Sequence, residues 1–251
     1  MPQTTHTKHP RDPVTLTFTE EDHKYIDSNG QVYKSASGLI HDSFPKFDAP
    51  AAALRVAKRE GRTQQEVQDE WKAKAEKACA FGTRCHELAE YVLMGGRSGA
   101  SHFPNNEKEE MAYRCIRKAV AMLLARFKLV SCEIVLFSPA HAIAGTCDLL
   151  MRGADGRYLL LDYKTNEKLR KPHYNMGNPP FEHIEDNPMG HYAMQLSIYE
   201  CMLRHEGHVD FDAQIERVII YIPPFEEIAE WIPLPFIEEA RSFFKPKPTV
   251  K

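Results

Sequence analysis

Two apolar runs, each carrying one aspartate, constrain the fold of this 251-residue chain more than any other segment. Ala142 to Met151 and Tyr158 to Lys164 are β-prone and are separated by the turn sequence Gly153-Ala154-Asp155-Gly156. Leu149-Leu150 and Leu159-Leu160-Leu161 are continuously apolar, so this hairpin belongs inside a sheet, where a charge is rare unless it is paired or binds a metal. With Asp155 at the centre of the turn, Asp148 lies directly across from Asp162. Alternation along the strand puts Lys164 on the same face and turns Tyr163 to the opposite one. Opposed carboxylates about 5 Å apart repel unless a cation sits between them. Oxygen donors favour Mg²⁺ or Mn²⁺, one ion or two, and such a site beside a lysine suits phosphodiester hydrolysis.

Composition sets the frame around the hairpin. With 43% apolar and 10% aromatic residues the chain can bury a full core, as one large domain. The net charge of −3 gives no overall positive field, so a nucleic-acid partner must meet a local basic surface. The six cysteines have no Cys-x-x-Cys spacing and read as reduced, mostly buried thiols. The chain start lacks a secretory apolar core, and no run of roughly 18 apolar residues occurs. The expectation is a soluble cytoplasmic protein without membrane contact.

Along the chain, residues 1–12 are polar and read as a loose arm, with a single domain over 13–251. Leu16 to Phe18 and Lys24 to Ile26 alternate like strands, and Asn29-Gly30 turns the chain into a returning strand ending at Ser35. Ala51 to Ala80 is helical, broken at Gly61, with Thr63 and Glu66 spaced as a capping box. Residues 13–80 thus form an N-terminal hairpin and helical region, and 81–251 the core. A third helix is predicted from near Thr83 to Gly95-Gly96, and a fourth over Glu107 to Phe127 with Met111, Cys115, Ile116, Ala119 and Met122 on its inner stripe. Ser131 to Phe137 precedes the hairpin as the first strand of an antiparallel meander. Residues 165–190, proline-rich and aperiodic, are expected to form a lid outside the core. A helix follows over His191 to His205, then a strand from Val218 to Ile222 and a short helix near Phe236 to Phe244.

An Asp-x-Lys on a strand is common, and a solvated Asp–Lys pair is the plain alternative to a catalytic one. The motifs around it decide otherwise. Gly145-Thr146-Cys147-Asp148 followed by Asp162-Tyr163-Lys164-Thr165 resembles the core motif of the PD-(D/E)XK nuclease superfamily. Gly82-Thr83-Arg84-Cys85-His86, with Glu90 one turn later, and Gln195-Leu196-Ser197-Ile198-Tyr199 are similar to motifs of its RecB-like exonuclease branch, of the small phage or mitochondrial-genome-maintenance type. The resemblance implies an α/β (mixed α+β) restriction-endonuclease-like core, with a central mixed sheet flanked by helices. It implies that Asp148, Asp162, His86 and the Tyr163 backbone carbonyl bind the metal and that Lys164 orients or activates the attacking water. Gln195 and Tyr199 are to contact the strand or brace the site. Glu133 matches a glutamate on the preceding strand.

The expected activity is a metal-dependent DNA exonuclease acting on single-stranded or frayed ends; a structure-selective endonuclease and an inactive nucleic-acid-binding protein are the alternatives. A single-strand-annealing or recombination protein is a further expected partner. With Cys201 the sole cysteine beyond Cys147, no iron–sulfur cluster is expected, and no phosphate-binding loop points to a nucleotide cofactor. Lys168, Arg170 and Lys171 directly follow the catalytic strand and suggest a strand-binding channel in which Tyr174, Phe181 and Tyr192 stack on bases. His173, His183 and His191 are not assigned to the metal.

Overall fold

Among the described residues, the leucine-rich hairpin forms the centre of a nine-stranded mixed sheet. The computed structural model describes residues 4–19, 22, 24–96, 103–167, 169–170 and 175–245. Strands β1 (Thr4–Lys8), β2 (Thr15–Thr19), β3 (Lys24–Asp27) and β4 (Val32–Ser35) lead into helices α1 (Ala36–Asp42), α2 (Ala49–Glu60), α3 (Gln64–Leu93) and α4 (Glu107–Arg126). The meander β5 (Phe127–Ser138), β6 (Ile143–Gly153) and β7 (Tyr158–Lys164) follows. After it come α5 (Pro188–His205), β8 (Ile215–Tyr221), β9 (Glu230–Leu234) and a 3-10 helix (Glu238–Phe244).

β6 and β7 pair antiparallel in the register expected from a turn centred on Asp155, Leu149 opposite Leu161 and Leu150 opposite Leu160. α5 carries the chain across to β8, which lies parallel to β7, and β9 adds the antiparallel edge. The Asn29-Gly30 hairpin forms as expected, with Gly30 at φ 81 and Tyr25 opposite Tyr33, and β4 then joins the start of β6 in parallel. Side-chain alternation splits the sheet between two helical layers. Leu160 and Ile219 face α1, α5 and the 3-10 helix, while Leu159, Leu161, Val218 and Ile220 face α3 and α4. This is the expected mixed α/β architecture with a central sheet flanked by helices.

Several local expectations are corrected. Residues 4–8 of the supposed loose arm form β1, paired along its length with β2, and the buried His9 donates through Nε2 to Glu206 at 3.0 Å. Ladder bonds stabilise a strand whose polar sequence gives no signal. Gly61 ends α2 in the left-handed region at φ 64, and the Thr63–Glu66 capping box opens α3. The predicted break near Gly82 is absent, and α3 runs unbroken for 30 residues. A mid-helix glycine costs about 1 kcal/mol, a small charge against the packing of the last three turns. A Cβ at Gly82 would lie 3.4 Å from Thr165 Oγ1, where the helix passes the end of β7. Met122, expected on the inner stripe of α4, is 58% exposed.

Among the described residues of 165–190, the expected lid is partly core. Leu169, Phe181 and Ile184 are buried beneath α1 and α5, and Pro188–Gly190 is already helix, capped by the Asn187 side chain. β9 was hidden by Pro233, which an edge strand tolerates because one side needs no ladder donor. Among the described residues, no helix is long and apolar enough to cross a membrane.

Candidate metal centre

The site forms at a fork in the sheet. β5 pairs with one edge of β6 from Ile143 to Gly153 except at Asp148, whereas the other edge is shared, by β4 at Ile143 and Ala144 and by β7 from Leu149 onward. Gly145 to Asp148 lie in the gap, without a ladder partner on that edge among the described residues. Asp148 and Asp162 are the next positions in the β6–β7 register, one residue beyond the last ladder pair, Leu149 and Leu161. Asp148 Oδ2 accepts the Tyr163 backbone N–H at 2.7 Å, so a carboxylate supplies the acceptor that a strand would have supplied.

β5 is distorted at the same level. Glu133 has φ 49, a left-handed conformation rare for a residue with a Cβ, and the ladder skips it between Cys132–Leu149 and Ile134–Cys147. Both strands change faces there. Cys132 and Leu149 face the α3–α4 layer, but Ile134 and Cys147 face the α5 layer. Glu133 and Asp148 occupy the crossover between layers. α3 brings His86 to the same point, its Nδ1 3.3 Å from Asp148 Oδ2. His86, Glu133 and Asp148 each offer a ligand atom within 4.8 Å of the others. Asp162, on the next strand, is ion-paired with Lys164.

The floor of this site is closed and its mouth open. Asp148 is 6% and Asp162 2% exposed, His86 is half-buried and Glu133 faces solvent. Burial opposes the Asp148 charge, but His86, Lys164 and the Tyr163 N–H outweigh it and hold the acid below its ordinary range. Burial and the Asp148 charge push Asp162 up to about 6. Burial likewise opposes the His86 cation, yet Asp148 raises it to about 9. Glu133 is driven to about 7 by burial and by Asp148; because the residue is open to water, the Asp148 charge is the firmer cause. Lys164 is raised, the attraction of Asp162 and Asp148 exceeding the cost of burial.

Three carboxylates whose charges oppose one another form a site short of positive charge. Asp162 Oδ2 is buried, and although it is ion-paired with Lys164 it makes no well-formed hydrogen bond. Oxygen donors with one imidazole fit a hard divalent cation. A second cluster, His9, Asp12 and Glu206, does not fit. His9 Nδ1 accepts the backbone N–H of Asp12 at 2.9 Å while Nε2 is engaged by Glu206, so neither ring nitrogen is left for a metal.

The flanking residues of α5 lie against β6 and Lys164. Gln195 Nε2 donates to Tyr199 Oη at 3.0 Å, and the Tyr199 ring lies against Gly145, where a Cβ would approach Cε1 to 2.7 Å. Tyr192, one turn before Gln195, places its ring 4.5 Å from Lys164 Nζ and donates its hydroxyl to Asn166 Oδ1 at 3.1 Å. Sequence reasoning missed this role, although the i, i+3 spacing of Tyr192 and Gln195 places them on one helix face. Tyr192 was expected to stack on bases; its ring is committed to the lysine. Phe181, expected in the same role, is buried and stacked on Phe243.

Glu90 is exposed on α3, close enough for its charge to add to the upward shift of Glu133. Arg170 is ion-paired with Glu230 rather than free, and Lys168, Lys171 and Tyr174 lie outside the described residues. His183 and His191 pair with Glu239 and Asp186, away from the centre.

The family model described as the PD-(D/E)XK nuclease superfamily matches residues 38–227, which include every residue of this centre. Among solved structures, one described as the crystal structure of SSO0001 is 18% identical, with 62% of this chain and 80% of that chain covered, at a TM-score of 0.26. No curated protein matches.

Proposed function

Because the chain belongs to the PD-(D/E)XK nuclease superfamily, we propose that it is a metal-dependent deoxyribonuclease acting as an exonuclease at single-stranded or frayed DNA ends. Asp148 and Asp162 hold the ion, with His86, Glu133 and the Tyr163 carbonyl completing its surroundings. Bound there, Mg²⁺ or Mn²⁺ supplies positive charge for the phosphoryl oxygens and lowers the pKa of water. Lys164, held between Asp162 and the Tyr192 ring, points its ammonium at the reacting centre and orients the attacking water. Gln195 and Tyr199 brace β6 behind Asp148. Lys168, Arg170 and Lys171 lead the departing strand away. The observation that carries the reading is the convergence of His86, Glu133 and Asp148 at a break in the sheet beside the Asp162–Lys164 pair.

The support for end-directed cutting is the RecB-like set of motifs around His86 and Gln195. End-labelled DNA incubated with Mg²⁺, Mn²⁺ or chelator should give metal-dependent product from wild type and none from Asp162→Ala. Equal product from both removes the proposal. A closed circular single strand should remain intact, and its cleavage would make the enzyme an endonuclease.

A further inference from the structure

Helices α2 and α3 form an arm with a small core of its own. Ala53, Ala57 and Val67, flanked by Val56 and Trp71, pack together apart from the two main cores. Beyond Trp71, α3 is exposed on every side from Lys72 to Ala80 before it reaches the body at Phe81. Those nine residues span about 13 Å of uncovered helix. The same rigid helix then delivers His86 to the metal centre.

Charge on this arm is unevenly compensated. Lys46 to Ala80 contains eight basic and six acidic side chains in a chain that is negative overall. Each of the acids is engaged: Asp48 and Glu66 cap helix N-termini, Asp69 accepts from Gln65, and Glu60, Glu70 and Glu76 pair with Arg59, Arg62, Lys74 and Lys72. Arg55 and Lys58 remain on the exposed side of α2, opposite Ala53 and Ala57. Just before the start of the same helix, Phe47 is 72% exposed, with its ring 6.4 Å from that of Trp71. Uncompensated cations along a helix that an exposed aromatic ring precedes match a single strand, whose phosphates meet the cations and whose unpaired bases stack. A duplex offers phosphates but no free base faces, and an acidic peptide offers no base to stack.

We propose that the α2–α3 arm binds the single-stranded nucleic acid that feeds the metal centre, with Phe47 stacking on a base and Arg55 and Lys58 contacting phosphates. This rests on the nuclease reading above. The test measures binding of a labelled oligothymidine and of a blunt duplex by fluorescence anisotropy in chelator, across a salt series. Phe47→Ala should weaken single-strand affinity by about 5- to 150-fold and leave the duplex unchanged. The double variant Arg55→Ala/Lys58→Ala should flatten the log–log salt slope by about 1.4.

Wild-type affinity and slope in both variants, an equal loss on duplex, equal displacement of the strand by polyglutamate, or no binding by wild type would each overturn the assignment. Metal-dependent hydrolysis by wild type is scored separately. If it persists while the variants bind normally, the arm is wrong and the nuclease reading stands; its absence with intact arm binding does the reverse.

Discussion

Glu133 offers the sharpest test of how the centre is built, because its backbone and its carboxylate make opposite contributions. A residue with a Cβ in the left-handed region costs about 1–2 kcal/mol, and glycine escapes that cost while losing roughly 0.5–1 kcal/mol in chain entropy. Glu133→Gly, at φ 49, should therefore stabilise the metal-free protein by about 0.5–1 kcal/mol net, before counting relief of repulsion from Asp148. For a chain of this size that is a rise in melting temperature of about 1–4 °C.

With metal the order should reverse. Loss of a carboxylate at the ion should weaken binding by at least about tenfold, so the variant forfeits roughly 1.4 kcal/mol or more of ligand-linked stability at saturating Mn²⁺. Calorimetric melts in chelator and in Mn²⁺ measure both effects. Glu133→Ala is the control, since it removes the charge but keeps the Cβ, and it should melt below the glycine variant in chelator. A glycine variant that melts below wild type in chelator would show that the strained backbone is not a cost. Equal Mn²⁺ shifts in wild type and variant would remove Glu133 from the metal site.

Three further outcomes follow from the same geometry. Gly145→Ala pushes a Cβ to 2.7 Å from Tyr199 Cε1 and should cost about 1–3 kcal/mol in urea unfolding, with a smaller penalty in the background of Tyr199→Ala; additive penalties would show that the two do not touch. Asp27 accepts from the Asn29 and Gln31 amides and from Tyr33 Oη, and these bonds outweigh its burial and hold its acid below the ordinary range. Its contribution should be complete above the unfolded carboxylate pKa of about 3.9 and fade as pH falls through the lower folded value. Asp27→Ala should thus be destabilised at neutral pH and lose less stability than wild type on acidification, and parallel pH curves would contradict this. Tyr192→Leu removes the ring beside Lys164 and should lower kcat by about 2- to 30-fold with little change in KM, a cation–π interaction being worth about 0.5–2 kcal/mol; an effect confined to KM would point to substrate contact instead.

Local chemistry made much of this legible in the sequence. The apolar runs around Leu150 and Leu160 specify an interior hairpin, and the turn at Asp155 specifies its register, because strand alternation admits no half-steps. The capping box at Thr63 and the left-handed Gly30 are likewise properties of a few adjacent residues. What the sequence could not reveal depends on residues far apart in the chain. Polar β1 is a strand because β2 offers it a ladder, and Leu169, Phe181 and Ile184 are core because α1 and α5 close over a stretch with no period of its own.

The aspartate pair shows the same division. Sequence alone placed Asp148 and Asp162 at facing positions on neighbouring strands, with Lys164 beside them and Tyr163 turned away. Tertiary structure decided that β4 and β7 share one edge of β6, so that the ladder ends just before those aspartates. The strained Glu133 and a histidine delivered by α3 then reach the opening. A fork arises from competition between two strands for one set of backbone groups, and that competition exists only once both strands are in place.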